Sequence, residues 1–404
     1  MCLQHRQRNE SHQSPLKSPS RRTFSSGITM RDRVHLQRSA RPASTRLVLV
    51  LDGSPSSHRR SVSFTRYLPD MIYRLARSAL FLLPPEKAHA LTLGAVRVRG
   101  RLIHPRAQSG NPIQVMGLSF SNRVGLAAGF DKNAVAVDGW FSLGFGHVEV
   151  GTVTPKQQPG NPPPRVYRLA SHEAIINSMG FPNDGAERAA VRLRSRRRSG
   201  VVGVNIGKNA TTPLERAVDD YLFCLRTVFP VADYVTVNVS SPNTAGLRSL
   251  QETEQLVPLL SGVVSESREL EKRQGRRVPV VLKISPDLAP DELREVARAA
   301  ASIPVAGIIA TNTTLSRDAV AGHPSAQEAG GLSGRPLFAK SCAAVRTLRE
   351  ELGPAMPIIG VGGVTSAADA RTLREAGADL VQAYTALVYR GPRLVHELAA
   401  ALPV

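Results

Sequence analysis

Tyr234-Val-Thr-Val-Asn-Val-Ser-Ser-Pro-Asn-Thr244 reads as a buried strand in which Val alternates with polar residues and which ends in side chains fit for chemistry. Asn238, Ser241 and Asn243 fall at or just past its carboxyl end. In a closed parallel barrel, active sites are built at that end of the strands. Seven more runs of this kind flank it: Arg123–Ala128, His147–Val153, Val201–Ile206, Val278–Ile284, Gly307–Thr311, Pro357–Val361 and Asp379–Tyr384. Helical patterns separate them, among them Pro290–Ser302, with Asp287 as its expected start signal, and Leu337–Leu352. Eight strands in a β-α rhythm predict an α/β fold, an eight-stranded parallel β/α (TIM) barrel. A doubly wound open sheet is the alternative.

Almost every strand tip carries glycine or polar residues. Strand one delivers Ala128-Gly-Phe-Asp-Lys132, strand two Gly151 and Thr152, strand three Asn205 and, beyond it, Lys208. Strand five delivers Lys283, strand six Thr311, Asn312 and Thr313, strand seven Gly360-Val-Gly-Gly363, and strand eight Tyr384-Thr385. A lysine at the end of a buried strand is costly unless its charge meets an anion. Lys132 and Lys283 therefore predict one large anionic ligand in the barrel mouth. The loops after strands seven and eight are the usual phosphate site of such barrels, and glycines let backbone N–H groups crowd a phosphate. A tight strand-to-helix turn explains the Gly-Gly pair equally well. Combined with the two lysines, the pattern points to a phosphorylated cofactor. Flavin mononucleotide (FMN) fits: it has one phosphate, and its ring is negative when reduced, which a nearby lysine stabilises. No Gly-x-Gly-x-x-Gly opens a βαβ unit, which argues against a Rossmann dinucleotide site.

Asn177, in Ile176-Asn-Ser-Met-Gly-Phe181, joins Asn238, Asn243 and Asn312 at the same mouth. One such Asn is ordinarily a turn or cap residue. Four amides together offer donors and acceptors for a polar ring and a carboxylate. Ser241 has no His nearby in sequence and is not a triad nucleophile. Its plain reading is a turn residue before Pro242. Its chemical reading is a general base whose proton leaves through water, which means proton abstraction rather than acyl transfer.

Asn238-Val-Ser-Ser-Pro-Asn-Thr244, together with Gly125-Leu-Ala-Ala-Gly-Phe-Asp-Lys132 and Ala310-Thr-Asn-Thr-Thr314, resembles dihydroorotate dehydrogenase, and more narrowly its quinone-linked, membrane-associated class. The resemblance runs from about Met71 to the C-terminus. It implies oxidation of dihydroorotate to orotate in pyrimidine (UMP) biosynthesis, with FMN as hydride acceptor and quinone as final acceptor. It implies Ser241 as the base, where soluble classes carry Cys. Cys224 and Cys342 lie elsewhere and read as packing residues. It implies an FMN site of Ala128, Gly129, Lys132, Thr152, Asn205, Asn238, Lys283, Thr311, Gly334, Gly363, Tyr384 and Thr385. The pyrimidine would meet Lys132, Asn177, Ser178, Met179, Gly180, Phe181, Asn238, Asn243, Asn312 and Thr313. Gly334 belongs to Ala329-Gly-Gly-Leu-Ser-Gly-Arg-Pro336, which matches a glycine-rich family segment. One departure is Ala386, where the family commonly has Gly.

The net charge of +20 over 404 residues would ordinarily raise nucleic acid as a partner. Half of it, 13 Lys and Arg against three acids, sits in residues 1–66, a Ser- and Arg-rich stretch with little periodicity. Residues 1–70 are expected to be a disordered basic extension, either a transit peptide or an upstream extension of a bacterial reading frame that naturally starts at Met71. Leu47–Leu51 is far short of the roughly 20 residues a membrane span needs. Met71, Leu75, Ala79 and Leu82 keep helical spacing, Pro84-Pro85 breaks it, and Ala88, Leu91 and Leu93 resume it. Residues 71–105 are thus a helical hairpin with an apolar face, which either packs on the barrel or forms a membrane foot that admits quinone. The resemblance favours the foot. Residues 106–404 form the FMN-binding barrel. The expected location is the cytoplasmic side of a bacterial cell membrane, peripherally bound, with the mitochondrial inner membrane as alternative. The basic run Arg192–Arg198 reads as a solvated face, with possible contact to anionic lipid. No metal spacing is found, and neither metal nor nucleic acid is expected. The rivals are another FMN barrel, such as a 2-hydroxy acid oxidase or a soluble dihydroorotate dehydrogenase, and a basic nucleic-acid-binding protein.

Overall fold

The computed structural model describes residues 68–104 and 112–403. The basic extension, Cys2, the Leu47–Leu51 run and the hairpin-to-barrel boundary near residue 105 lie outside the described residues. Eight parallel strands close on themselves: β1 (Val124–Leu126), β2 (His147–Val153), β3 (Val201–Ile206), β4 (Tyr234–Asn238), β5 (Val280–Ile284), β6 (Gly307–Ala310), β7 (Ile358–Val361) and β8 (Leu380–Ala383). Closure comes from β8 pairing with β1, Val381 opposite Val124 and Ala383 opposite Leu126. The open-sheet alternative is thereby excluded.

Strand alternation sorts the side chains into two populations. Val148, Val150, Val202, Val204, Val235, Val237, Leu282 and Ile308 belong to the core shared with the surrounding helices. Tyr234, Val281, Ile309, Ile359 and Leu380 share a separate inner core. Period two therefore sends His147, Glu149, Asn205, Asn238 and Lys283 toward the barrel axis, because their strand neighbours face the helices. A small antiparallel hairpin, Ile113–Val115 with Leu118–Phe120, joins the inner core and plugs its floor. Its two turn residues, Met116 (φ 56°) and Gly117 (φ 77°), both take the left-handed conformation that two-residue hairpin turns require. Phe120 is fully buried with its ring 5.4 Å from that of His147. Burial holds the His147 imidazole down to about 3, so it is neutral at any ordinary pH.

Two helices precede the barrel, α1 (Leu68–Phe81) and α2 (Pro85–Leu102), with Pro85 opening α2. α1 thus begins three residues before the expected Met71. The packing of the hairpin on the barrel is seen for one of its faces. A Cβ on Gly100 would lie 2.4 Å from Gly139 N, so the two backbones meet there with nothing between them. Arg197 donates to the Gly100 carbonyl (2.9 Å), Arg165 clamps Glu86 through two bonds of 3.0 and 2.9 Å, and Tyr73 donates to Leu387 O (2.8 Å). The other face is left uncovered: Leu75 is 67% exposed, Leu82 87% and Leu102 75%, joined by Met71, Leu91 and Val98. No helix among the described residues is long and apolar enough to cross a membrane.

Two local expectations are corrected. The Arg192–Arg198 run is solvated only in part: Arg194 and Arg198 are exposed, the other arginines are engaged. Its helix stops at Arg194, Arg192 pairs with Asp184 at 2.6 Å, and Arg196 is buried to 6% exposure against Asp233 at 2.9 Å. These arginines bond to neighbouring loops and to α2, which sequence spacing cannot reveal. Asp287 does not start the helix Pro290–Ser302. Ala289 is the boundary residue, and Glu292 reaches back to accept from its N–H at 2.7 Å.

Candidate active site

Along the barrel axis the inward side chains form a continuous polar network. Glu149, fully buried, accepts from Asn205 Nδ2 (2.8 Å), Tyr234 OH (3.1 Å) and Gln382 Nε2 (2.8 Å). Asn205 Oδ1 then accepts from Asn238 Nδ2 (3.1 Å) and from the Thr152 hydroxyl. Asn238 Nδ2 also donates to Thr152 Oγ1 (2.9 Å). These bonds lock the amide orientations beneath the mouth, since every partner is itself held. Lys283 stands in the same interior. Burial lowers its ammonium pKa, and the charge of Glu149 opposes that shift. The Lys283 ammonium hydrogen-bonds to no described residue and lines the cleft above.

That cleft encloses about 990 Å³ of space between its walls, part of it open to solvent. On one side lie Ala128, Gly129, Lys132 and Thr152; on another, Asn177, Met179, Gly180 and Phe181. Asn238, Ser241, Asn243, Thr311, Asn312 and Thr313 come from the tips of β4 and β6, and Gly334, Gly363, Tyr384 and Thr385 complete the wall. Gly362 (φ 126°) and Gly363 (φ 73°) hold conformations that favour glycine, and a Cβ on Gly363 would lie 2.5 Å from Phe338 N. Thr385 donates to Ser333 Oγ (2.8 Å) beside this turn. Ala386 sits in the helix Thr385–Arg390 with an ordinary φ, so its methyl is accommodated.

Lys132 donates to Gly129 O (2.7 Å) and faces Met179 Sδ at 3.5 Å. Burial and the neighbouring Arg165 push its pKa down to about 8, against the pull of Glu86 and Asp131. Asn243 Nδ2 donates to Asn177 Oδ1 (3.2 Å), and Asn312 Nδ2 to Ser240 Oγ (3.0 Å). Asn243 Oδ1 is buried and has no hydrogen-bond partner among the described residues. Ser241 is 4% exposed, and its Oγ accepts from Asn243 N at 3.3 Å. Among the described residues no His or carboxylate bonds to it.

Most of the residues singled out from the sequence thus come together around one cavity. Asn205 stands one layer below the wall, acting through Thr152 and Asn238. Ser178 is set back too: its N–H donates to Arg165 O (2.9 Å) and its carbonyl accepts from Asn161 (2.8 Å). Lys208 turns away to Thr212 O (2.8 Å) and Asn209 O (3.3 Å), with Asp220 nearby. Cys224 and Cys342 are buried in the helices Ala217–Val228 and Phe338–Leu352. Sequence reading missed Glu149 and Gln382, though a Glu within the apolar run His147–Val153 is itself a signal. It also missed the antiparallel sheet Val166–Leu169, Ala174–Asn177 and Gly331–Gly334 that carries Asn177 and Gly334 to the cleft. Gly331–Gly334 pairs with Ala174–Asn177 across more than 150 positions, which local periodicity does not encode.

A closed parallel barrel with a polar cleft at the carboxyl ends of its strands defines a β/α-barrel enzyme. Residues 112–404 match the family model described as dihydroorotate dehydrogenase. Similar curated relatives are a dihydroorotate dehydrogenase (quinone) of Burkholderia pseudomallei (strain 668), 53% identical over 82% of this chain and 98% of its own, and one of Burkholderia mallei (strain SAVP1), 53% identical over 82% and 97%. A crystal structure of DHODH from Eimeria tenella in complex with ferulenol superposes with a TM-score of 0.73 at 39% identity, covering 78% of this chain and 90% of that one. The chain belongs to the dihydroorotate dehydrogenase family.

Proposed function

We propose that this protein oxidises dihydroorotate to orotate in pyrimidine biosynthesis and delivers the electrons to a membrane quinone, with FMN as its flavin. Family membership and the quinone-type relatives support the reaction. The single observation that carries the site reading is the meeting of a buried hydroxyl, two buried lysines and four asparagines on one cleft. Asn243 Oδ1 and the Lys283 ammonium, neither hydrogen-bonded to any described residue, fit a polar substrate and an anionic ring. The residues that would hold FMN are Ala128, Gly129, Thr152, Asn238, Lys283, Thr311, Gly334, Gly363, Tyr384 and Thr385, with Asn205 behind them. FMN, when bound, would supply the acceptor for the hydride at C6 of dihydroorotate and the carrier of its two electrons to quinone. Ser241 takes the proton from C5. Lys283 and Lys132 offset negative charge in the cleft. Asn177, Asn243, Asn312 and Thr313 orient the pyrimidine, with Met179, Gly180 and Phe181 shaping its pocket.

The uncovered apolar face of α1 and α2 supports a membrane foot beside which quinone enters. The protein would attach peripherally to the cytoplasmic face of a cell membrane; the bacterial source of its relatives is consistent with a cell membrane over the mitochondrial alternative. Ser241→Ala tests the reading. The purified variant should be yellow and FMN-loaded, with turnover lower by at least about 100-fold, the usual size of acid–base catalysis. Near-normal turnover removes Ser241 from that role. Colourless wild-type protein that stays empty after added FMN ends the flavin assignment.

A further inference from the structure

Seven residues past Ser241, Arg248 lies in the 3-10 turn Leu247–Gln251. Its guanidinium forks three ways. Nε donates to the Ser240 carbonyl (3.2 Å), Nη1 to Asp287 Oδ2 (2.9 Å) and Nη2 to the Thr313 carbonyl (2.9 Å). The three acceptors belong to the loops that follow β4, β5 and β6. Two of those loops supply Ser241, Asn243, Asn312 and Thr313 to the cleft. Asp287 is committed in turn: it accepts from the Thr314 hydroxyl and from Leu315 N (2.8 Å), with Lys340 at 3.5 Å. Burial raises its carboxyl, but these bonds and the Arg248 charge outweigh that and hold it below its ordinary value.

Arg248 itself does not line the cleft. Its leverage is geometric. The Ser240 carbonyl shares a peptide plane with the Ser241 N–H, so pinning it pins the plane from which Ser241 projects. The Ser240 hydroxyl is tied as well, donating to Asn238 Oδ1 (3.0 Å) and accepting from Asn312. Ser241 Oγ has one weak bond of its own. The backbone therefore sets its position. A planar fork with several fixed donors suits three convergent oxygens; a lysine satisfies fewer of them.

We propose that Arg248, held by Asp287, is a positioning residue for the proton-abstraction step: it locks the loops after β4 and β6 so that Ser241 and Asn312 meet the substrate in register. The proposal rests on Ser241 being the base. A misplacement on the order of 1 Å at such a site costs up to about 100-fold in rate.

The test separates the two half-reactions on the flavin-loaded enzyme. Anaerobic stopped-flow absorbance follows flavin reduction by dihydroorotate; enzyme reduced with dithionite is then mixed with a short-chain quinone. Arg248→Ala should keep its flavin, reduce about 10- to 100-fold more slowly, and be reoxidised at the wild-type rate. The kinetic isotope effect from deuterium at C5 should rise as proton removal becomes limiting. Arg248→Lys should recover part of the loss. Asp287→Asn should slow the same half-reaction, and the double variant should be no slower than the slower single one, as for residues acting through one unit. If Arg248→Ala does not fold, Arg248→Lys and Asp287→Asn carry the same comparison. Unchanged reduction, additive losses, or a parallel fall in reduction, reoxidation and flavin content would overturn the proposal. Ser241→Ala serves as the reference. If it reduces normally, the base assignment fails; if it is slow while Arg248→Ala is fast, the positioning role alone fails.

Discussion

Replacing Gly100 by Ala should uncouple quinone use from dihydroorotate oxidation. Gly100 lies in α2, where the new Cβ would sit 2.4 Å from Gly139 N, 2.8 Å from Gly139 Cα and 2.9 Å from Asp138 C. All three are backbone atoms and cannot rotate aside. An ordinary contact needs about 3.4 Å or more, so α2 must back away by roughly 1 Å, with an overpacking cost of about 1–3 kcal/mol. Alanine's better helix propensity returns at most about 1 kcal/mol. The shift loosens the bond from Arg197 to Gly100 O and those from Arg99 to Ser142 Oγ (3.0 Å) and Ser142 O (3.2 Å). The Arg165–Glu86 clamp and the Tyr73 bonds keep the hairpin attached. A net 1–2 kcal/mol lowers the melting temperature by about 1–3 °C at this domain size. The KM for quinone should rise about 3- to 10-fold while single-turnover flavin reduction by dihydroorotate stays at the wild-type rate. Gly94→Ala is the internal control. It makes the same change in the same helix, but no described residue beyond its own stretch of helix comes within 4 Å of its Cβ, so it should be neutral or slightly stabilising. Unchanged quinone kinetics in Gly100→Ala, or an equal loss in Gly94→Ala, would refute the reasoning.

Two further outcomes follow from the electrostatics of the interior. If Lys132 binds the orotate carboxylate as proposed, orotate affinity, read from the flavin spectrum, should fall as pH rises through about 8, where its ammonium loses its proton; Lys132→Met should flatten that profile. Glu149→Leu should strand three buried donors, on Asn205, Tyr234 and Gln382. At about 1–3 kcal/mol each, offset in part by no longer burying a carboxylate, the loss should be about 3–5 kcal/mol in chemical denaturation. A wild-type midpoint would show that the network carries no such weight.

The strands, their order and most of the cleft were legible in the chain itself. His147–Val153 and Val201–Ile206 match their predicted bounds, and the other barrel strands differ by one or two residues at one or both ends. The reason is local: a buried parallel strand needs a β-branched apolar run, and a residue placed just past its end has few destinations other than the barrel mouth. What needed the tertiary structure was every partnership between distant positions. Asp287 looked like a helix start and is the anchor of Arg248. Arg196 looked solvated and is buried against Asp233. Lys208 was expected at the site and bonds to its own loop, while Glu149 went unnoticed at the centre of the barrel. A side chain's type and its phase on a strand follow from its neighbours in sequence. Which charge or carbonyl it meets depends on how the closed barrel brings remote loops together, and no local pattern records that.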